Sequence, residues 1–284
     1  MTIDFKYSGK RWDKNIVLAL IHIFMGIYVL LIFYPLFNMI VSSLKTTREI
    51  FQSPFGFPEK LLFENYKIVW IDRGFGVYFK NSFVVTAIAM VIVILLGSMA
   101  SYGVSRYKYK LRTWIYMLVL SGIMLPLKVA IIPLFLIVKN LALMDTHLSI
   151  IMIFIAMGLP STVFILSGFM KTIPIDLEYA ARIDGCNDWG IYRRIVMPVT
   201  QSAIALVTIY NAVPIWNDFF FPLVFIQSNR LKTLPVGLST FFGQYSTNWS
   251  LLFAGLSIAI LPMLLLYVFM SKYFIRGMTA GAIK

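Results

Sequence analysis

Several long stretches of this sequence are apolar and carry no charged residue. The first runs from residue 16 to residue 44 without a Lys, Arg, Asp or Glu. A helix needs about 20 apolar residues to cross the hydrocarbon core of a bilayer, and lipid offers no water to an irregular backbone. The sequence therefore predicts an all-α polytopic membrane protein. Six transmembrane helices are expected, at about 16–44, 81–105, 113–138, 146–170, 195–226 and 249–272.

The charge composition agrees with a membrane location. Only 13% of the residues are charged, against about 25% in an ordinary soluble domain. The formal net charge of +13 could suit nucleic acid, but in a polytopic membrane protein basic residues collect in cytoplasmic loops and near anionic headgroups. We therefore expect the lipid bilayer as a partner, and no nucleic acid.

The distribution of the basic residues predicts the orientation. With a cytoplasmic N-terminus, 15 of the 25 Lys and Arg residues fall in cytoplasmic segments. The positive-inside rule then favours both termini in the cytoplasm. The first apolar run exceeds the roughly 7–15 residues of a signal-peptide apolar region, so we expect it to be retained. Because the loops are short, residues 1–284 are expected to form a single membrane domain.

Motifs for catalysis and for energy coupling are missing from the sequence. No G-x-x-x-x-G-K-[ST] string occurs, so no phosphate-binding loop is expected. The only cysteine is Cys186 and the only histidines are His22 and His147, which predicts neither a disulfide nor a metal site. No two carboxylates share one predicted span, which argues against a proton relay. We predict that the chain is not an enzyme and holds no cofactor.

One polar segment, residues 171–198, interrupts the apolar sequence with the string EYAARIDGCNDW. Acidic residues near its start and Gly185 predict a short helix that ends at that glycine. Asn187 or Asp188 could cap a second helix near Trp189. Helical spacing places one small-residue group on a single face of the first helix: Leu177, Ala180, Ala181 and Asp184. Such a segment could lie on the headgroups or form a docking surface, and spacing alone favours neither.

This polar segment resembles the EAA loop of permease subunits in ATP-binding-cassette importers. The matching residues are Glu178, Ala180, Ala181, Asp184, Gly185, Ile195 and Pro198. The resemblance implies that residues 174–198 form a coupling helix seated in a groove of a cytoplasmic ATPase, with Trp189 as a further candidate contact. Tyr179 stands where a glutamate is usual and Met197 where a leucine is usual. We expect Glu178 to take over the acidic contact.

Other strings extend the resemblance to the carbohydrate-uptake branch of these permeases. FENYKIVW, ASYGVSRYKYK, WNDFFFPLVFI and LLFAGLSIAILP occur in the order of that branch, over most of the chain. The C-terminal YFIRGMTAGAIK is similar to the tail of the maltose-type second permease subunit. The resemblance therefore points to sugar, and to an oligosaccharide in particular.

The resemblance implies a permease subunit of an ATP-driven, binding-protein-dependent sugar importer in the bacterial cytoplasmic membrane. The implied partners are a second homologous permease, a cytoplasmic ATP-binding subunit dimer that holds ATP and Mg, and an extracytoplasmic solute-binding protein. Two other functions stay open: a permease of the same superfamily for a non-sugar solute, and a scaffold without a transport role. An ion-coupled secondary transporter would need a coupling-ion site and usually an internal repeat, and the sequence reveals neither.

Four residues are candidates for a translocation path. Lys128 is the one Lys or Arg in the interior of a predicted span, where a bare ammonium costs roughly 3 kcal/mol on insertion scales. It could face a cavity, or the helix could end early and let it reach the membrane surface. Trp216, Asn217 and Asp218 form a polar and aromatic break in the fifth span, where an aromatic plane could stack on a sugar ring. The resemblance implies that the other permease holds the bound sugar.

Overall fold

The computed structural model describes residues 14–242 and 247–282, and these are helical apart from turns and one isolated bridge between Phe242 and Thr247. The helices are α1 (Lys14–Ser43), α2 (Thr47–Gln52), α3 (Glu64–Lys67), α4 (Phe75–Arg106), α5 (Arg112–Met124), α6 (Ile131–Asn140), α7 (His147–Thr172), α8 (Asp176–Ile183), α9 (Asp188–Ile191), α10 (Met197–Val199), α11 (Gln201–Asn217), α12 (Phe220–Phe225), α13 (Leu234–Ser239) and α14 (Trp249–Ala282). The predicted all-α class is confirmed. The basic residues Lys6, Lys10, Arg11 and Lys284, which entered the orientation argument, lie outside the described residues.

Four helices in the described part of the chain are long and apolar enough to cross a bilayer: α1, α4, α7 and α14. A fifth candidate consists of residues 188–199 and 201–217, which meet at an angle of 74°. The N-terminal helix α1 packs against α14, while α4, α7 and α11 surround the largest buried cluster. Length and composition alone thus support several spans, fewer than the six expected.

The predicted span at 113–138 is not one unbroken helix, because the chain divides there into α5 and α6. Pro126 has no N–H to donate and disfavours a helical conformation in the residue before it. Leu125 accordingly has an extended backbone, with ψ at 116°. Lys128 therefore lies in a turn between two short helices and not inside a helix.

The predicted span at 195–226 is interrupted as well. The chain bends at Thr200, and it leaves the helix again after Asn217. Asp218 has ψ at 120°, and its Oδ1 accepts a hydrogen bond of 2.8 Å from the backbone N–H of Phe221, in the first turn of α12. The carboxylate thus satisfies a backbone donor that the broken helix leaves without a partner.

The close approach of α4 and α7 organises the centre of the structure. A Cβ added at Gly97 would lie 2.3 Å from Cγ2 of Thr162, which is fully buried. Small residues let neighbouring transmembrane helices approach in this way. Asn211 joins α11 to the pair, because its Nδ2 donates to Thr162 Oγ1 at 3.2 Å and its Oδ1 accepts from Ser161 Oγ at 3.1 Å. The absence of a side chain at Gly97 therefore permits the contact between the two helices.

We expect Gly97→Ala to destabilise the protein by about 1–3 kcal/mol, because the β-branched Thr162 has no free volume into which to move. Gly103→Ala is the matched control: it lies in the same helix, and a Cβ there would have no neighbour within 4 Å. Thermal unfolding in detergent should show a lowered Tm for the first variant and an equal or higher one for the second. Equal losses would contradict the close approach.

Candidate functional site

The polar segment between α7 and α11 is packed into the structure and is not a free loop. α8 and α9 are followed by a π-helical turn, Tyr192–Val196, and then by α10. Its inner side chains join a buried apolar cluster with the ends of α4, α7 and α11. The members of the cluster are Tyr102, Leu166, Met170, Ile173, Ala181, Ile191, Tyr192, Val196, Ala203 and Val207. The segment therefore moves as part of the helix bundle.

A buried ion pair joins α8 to the end of α4. Arg106 Nε lies 2.5 Å from Glu178 Oε1, and both side chains are less than a tenth exposed. Arg106 Nη2 also donates to the carbonyl of Ile173 at 3.0 Å, and Tyr102 donates from its hydroxyl to Glu178 Oε2 at 3.4 Å. One guanidinium thus holds both the start of the segment and its first helix.

A second, exposed ion pair links the two short helices. Arg182 Nη2 lies 2.5 Å from Asp188 Oδ1, with half of each side chain exposed. Exposed pairs of this kind contribute about 0–1 kcal/mol. Burial, together with the nearby Asp188 carboxylate, raises the pKa of Tyr107 at the end of α4. The pair therefore orients the helices more than it stabilises them.

The predicted helix ends in this segment are confirmed. Gly185 has φ at +84°, the left-handed conformation that favours glycine after the last turn of a helix. Asn187 caps the second helix, since its Oδ1 accepts a hydrogen bond of 2.8 Å from the N–H of Gly190. The sequence predicted both of these helix ends, at Gly185 and at Asn187.

The outward face of the segment exposes four large apolar side chains. Ile183 is 87% exposed, Tyr179 57%, Trp189 53% and Leu177 46%. Large apolar side chains grouped on a surface and rimmed by polar residues mark contact sites for other proteins. Since the inner face is fixed by the buried cluster and the ion pair, the outer face is a preformed surface.

The structure divides the predicted coupling residues between these two faces. Ala180, Asp184, Gly185, Trp189 and Pro198 are exposed, Ile195 is half-buried, and Glu178 and Ala181 are buried. The expectation that Glu178 offers an acidic contact to a partner is wrong, because its carboxylate is 3% exposed and pairs with Arg106 of its own chain. Ala181 is buried as well, whereas Leu177, one turn earlier on the same helix, is exposed.

Sequence reasoning missed two residues at this site. Arg106 looked like one of several basic residues after the second span, and no local pattern pairs it with an acid 72 positions away. Ile183 directly precedes the matched Asp184 in the motif but was not singled out, although an isoleucine in a polar segment is a signal of contact. Its exposure makes it the most prominent apolar side chain of the segment.

Of the four candidate residues for a translocation path, two are exposed and two are buried. Lys128 Nζ lies 3.7 Å from Asp218 Oδ2, where Lys128 is 61% and Asp218 6% exposed, and Nζ lies 5.9 Å from the centre of the Phe220 ring. Asn217 is exposed. Trp216 is only 2% exposed, and its Nε1 donates to the carbonyl of Ala259 in α14 at 3.0 Å. Trp216 therefore packs against α14 and presents no ring face to a solute.

Comparisons with known proteins place the chain among membrane transport components. A family model described as "Binding-protein-dependent transport system inner membrane component" matches residues 93–280. The probable ABC transporter permease protein YurM of Bacillus subtilis is 34% identical over 262 residues, which cover 92% of this chain and 87% of that protein. The arabinooligosaccharides transport system permease protein AraQ of the same organism is 35% identical over 261 residues, covering 90% and 92%.

The fold also matches a solved structure. The crystal structure of a bacterial ABC transporter involved in the import of the acidic polysaccharide alginate contains a chain that aligns with a TM-score of 0.80. The alignment covers 94% of this chain and all of that one, at 21% sequence identity. At that identity the likeness concerns the fold.

We expect Glu178→Ala to loosen the polar segment, since removing one partner of a buried ion pair costs about 3–5 kcal/mol. The sole cysteine, Cys186, packs half-buried beside the inner cluster, so its rate of maleimide labelling reports the loosening. Labelling should accelerate in Glu178→Ala and stay unchanged in Asp184→Ala, which removes an exposed carboxylate from the same helix end. The double variant Arg106→Met/Glu178→Leu should restore slow labelling, because no charge is left unpaired. Equal labelling rates in the two single variants would contradict the role of the pair.

Proposed function

The chain belongs to the family of binding-protein-dependent transport system inner membrane components, and on that premise we propose that it is one of two permease subunits of an ATP-driven oligosaccharide importer. Membership in this family makes it a transport subunit of the inner membrane and not an enzyme. The single observation that carries the proposal is the rigid apolar surface of α8 and α9, because a permease without an ATPase motif needs a fixed docking site for a separate ATPase. ATP and Mg would be bound by that partner.

We propose that the whole chain forms one domain with six spans and cytoplasmic termini. The four long helices supply four spans, α5 with α6 supplies a broken third span, and α11 with α12 supplies a broken fifth. Short or interrupted hydrophobic segments are common where transporters line a route. The basic residues at 106–112 and 171–194 support a cytoplasmic position for the polar segment.

The substrate class is proposed from the relatives. The name of AraQ states that its system transports arabinooligosaccharides, and that relative covers 90% of this chain. The similarity supports an oligosaccharide over an unrelated solute. An assay of ATP hydrolysis by the assembled complex, with its binding protein and a panel of oligosaccharides, identifies the sugar. Stimulation by amino acids or peptides alone would contradict the sugar assignment.

Coupling would pass through residues on the inner face of the polar segment. When the ATPase subunits close, the seated surface of Tyr179, Ile183 and Trp189 moves with them. Glu178 then carries the displacement to Arg106 and so to α4, because a buried ion pair with shared packing cannot shear freely. A movement of α4 against its neighbouring helices would then open or close the proposed path. In this proposal Glu178 and Arg106 are positioning residues, and the exposed apolar side chains make the contact.

The proposed path uses the break between α5 and α6 and the break after α11. Lys128 and Asp218 meet there, and Asn217 lies beside them with its amide exposed. A solute with many hydroxyl groups exchanges hydrogen bonds with such groups more readily than with aliphatic helix faces. Trp216 is left out of the proposed path because α14 covers it.

We expect Ile183→Asp to detach the ATPase while the permease pair still assembles. Burying an isoleucine side chain at an interface stabilises it by about 1.5–3 kcal/mol, so its loss should weaken binding roughly tenfold or more. Affinity purification of the permease, followed by quantification of the bound ATPase, measures the effect. Ile183→Met is the matched control and should retain the ATPase, since it keeps an apolar side chain of similar size.

Gly185→Asp should also abolish transport, but part of that loss would come from backbone strain within the chain itself. Gly185 has φ at +84°, which strains any other side chain. The substitution Ile183→Asp, in contrast, changes a side chain that is 87% exposed in this chain.

A complex of Ile183→Asp that kept its full complement of ATPase and its uptake would overturn the docking surface. Accessibility of the segment from the extracytoplasmic side only would overturn the topology.

We expect Lys128→Met to slow oligosaccharide uptake without preventing assembly. The substitution leaves the buried carboxylate of Asp218 without its cation, which disfavours the arrangement of the break. In Lys128→Met/Asp218→Asn no unpaired charge remains, and the asparagine still offers an oxygen to the N–H of Phe221. Uptake into proteoliposomes should fall in the single variant and recover in part in the double variant. Unchanged uptake in the single variant would remove Lys128 from the path.

A further inference from the structure

A groove with basic walls lies where α4 ends, α5 begins and α7 ends. Its volume is about 490 Å³, and its lining includes Lys108, Lys110, Arg112 and Lys171. None of the described residues that line it is acidic. Among residues 14–242 and 247–282, none of the four cations has an ion-pair partner. The groove therefore concentrates positive charge with no internal compensation.

Four like charges around one groove repel each other, and an anion in the groove would relieve that repulsion. Part of the wall is held in place: Lys171 Nζ lies 5.0 Å from the centre of the Tyr116 ring, which fixes the ammonium over an aromatic face. Tyr116 in turn accepts a hydrogen bond of 3.4 Å from the hydroxyl of Ser167 in α7. The groove thus joins α5 to α7 through contacts that involve neither α8 nor α9.

An apolar surface begins directly beside this groove. On α5, Trp114 is 73% exposed, Met117 58% and Leu118 74%. Basic side chains and a tryptophan at one end of an apolar helix are typical of the level of the lipid headgroups. The cations therefore lie at headgroup depth, and the exposed face of α5 extends from them toward the acyl chains.

We propose that this groove binds the headgroup of an anionic phospholipid, with the phosphate between Lys110, Arg112 and Lys171 and the acyl chains along α5. The neighbouring apolar face selects a lipid over other anions. Free phosphate would gain nothing from Trp114 and Leu118, whereas an acyl chain covers both. The proposal rests on the membrane location of the chain and does not depend on the transported solute or on the docking of an ATPase.

The test uses the full-length chain purified in detergent together with its partner subunits. Native mass spectrometry measures binding of phosphatidylglycerol, phosphatidylcholine and inorganic phosphate over a titration. We expect phosphatidylglycerol to bind in preference to the other two. In Lys110→Gln/Arg112→Gln/Lys171→Gln its affinity should fall on the order of 100-fold, because each interfacial cation contributes roughly fivefold. The control Lys60→Gln/Lys67→Gln/Lys139→Gln removes three exposed lysines elsewhere and should leave the affinity unchanged.

Further variants distinguish a lipid headgroup from free phosphate as the bound anion. Trp114→Ser/Leu118→Ser should weaken phosphatidylglycerol binding and leave phosphate binding as it was. If the triple variant fails to assemble, each single Gln variant should still show its roughly fivefold loss, and Lys171→Arg should retain the lipid. Equal binding of phosphate and phosphatidylglycerol would overturn the lipid assignment. So would unchanged lipid affinity in the triple variant with loss of a partner subunit, which would assign the groove to a protein contact.

Discussion

A peptide group in hydrocarbon has to find its hydrogen-bond partner within the protein, and the interruptions of this helical chain follow from that requirement. After α11, Asp218 accepts from the N–H of Phe221 at 2.8 Å. Before α7, Asp145 accepts from the N–H groups of Gln227 and Ser228, both at 2.9 Å. Hydrogen bonds from Ser228 and Gln227 hold the pKa of Asp145 below its usual range. These two carboxylates thus serve as structural acceptors where helices stop.

The same logic explains why the polar segment is rigid. Glu178 is an acid in the interior of the protein, and it is compatible with burial because Arg106 supplies both a counter-charge and a tie to Ile173. The apolar cluster beneath α8 and α9 then fixes the rest of the segment. The proposed docking of an ATPase requires a surface that keeps its shape. The burial of one ion pair under an exposed apolar face meets that condition.

Much of the fold could be predicted from the sequence, and the errors have identifiable causes. Unbroken apolar runs predicted α1, α4, α7 and α14, because length and composition are properties of the local chain. The prediction failed at Pro126 and at Asp218, where a run stays apolar while the helix stops. Local signals also predicted the helix ends at Gly185 and Asn187.

The sequence could not show which residues of the polar segment lie on its inner face and which on its outer face. Glu178 appeared to be a surface acid because its partner, Arg106, lies on another helix and the two share no sequence spacing. Trp216 appeared to be a candidate for sugar stacking. Its hydrogen bond to the carbonyl of Ala259 joins distant parts of the chain, so no local pattern revealed that the ring is covered. Pairings across the fold, and not local patterns, decide which of these residues a partner or a solute can reach.

The length of α4 has a mechanical consequence. The helix has 32 residues, so it is about 48 Å long at 1.5 Å per residue. One end holds Arg106, and the other end, Phe75, is completely buried in a cluster with Trp216 and Phe241. If the helix tilts as a rigid lever by about 10° around its Arg106 end, an arm of that length displaces Phe75 by roughly 8 Å. A small rotation at one membrane surface is thereby amplified into a displacement larger than a helix radius at the other.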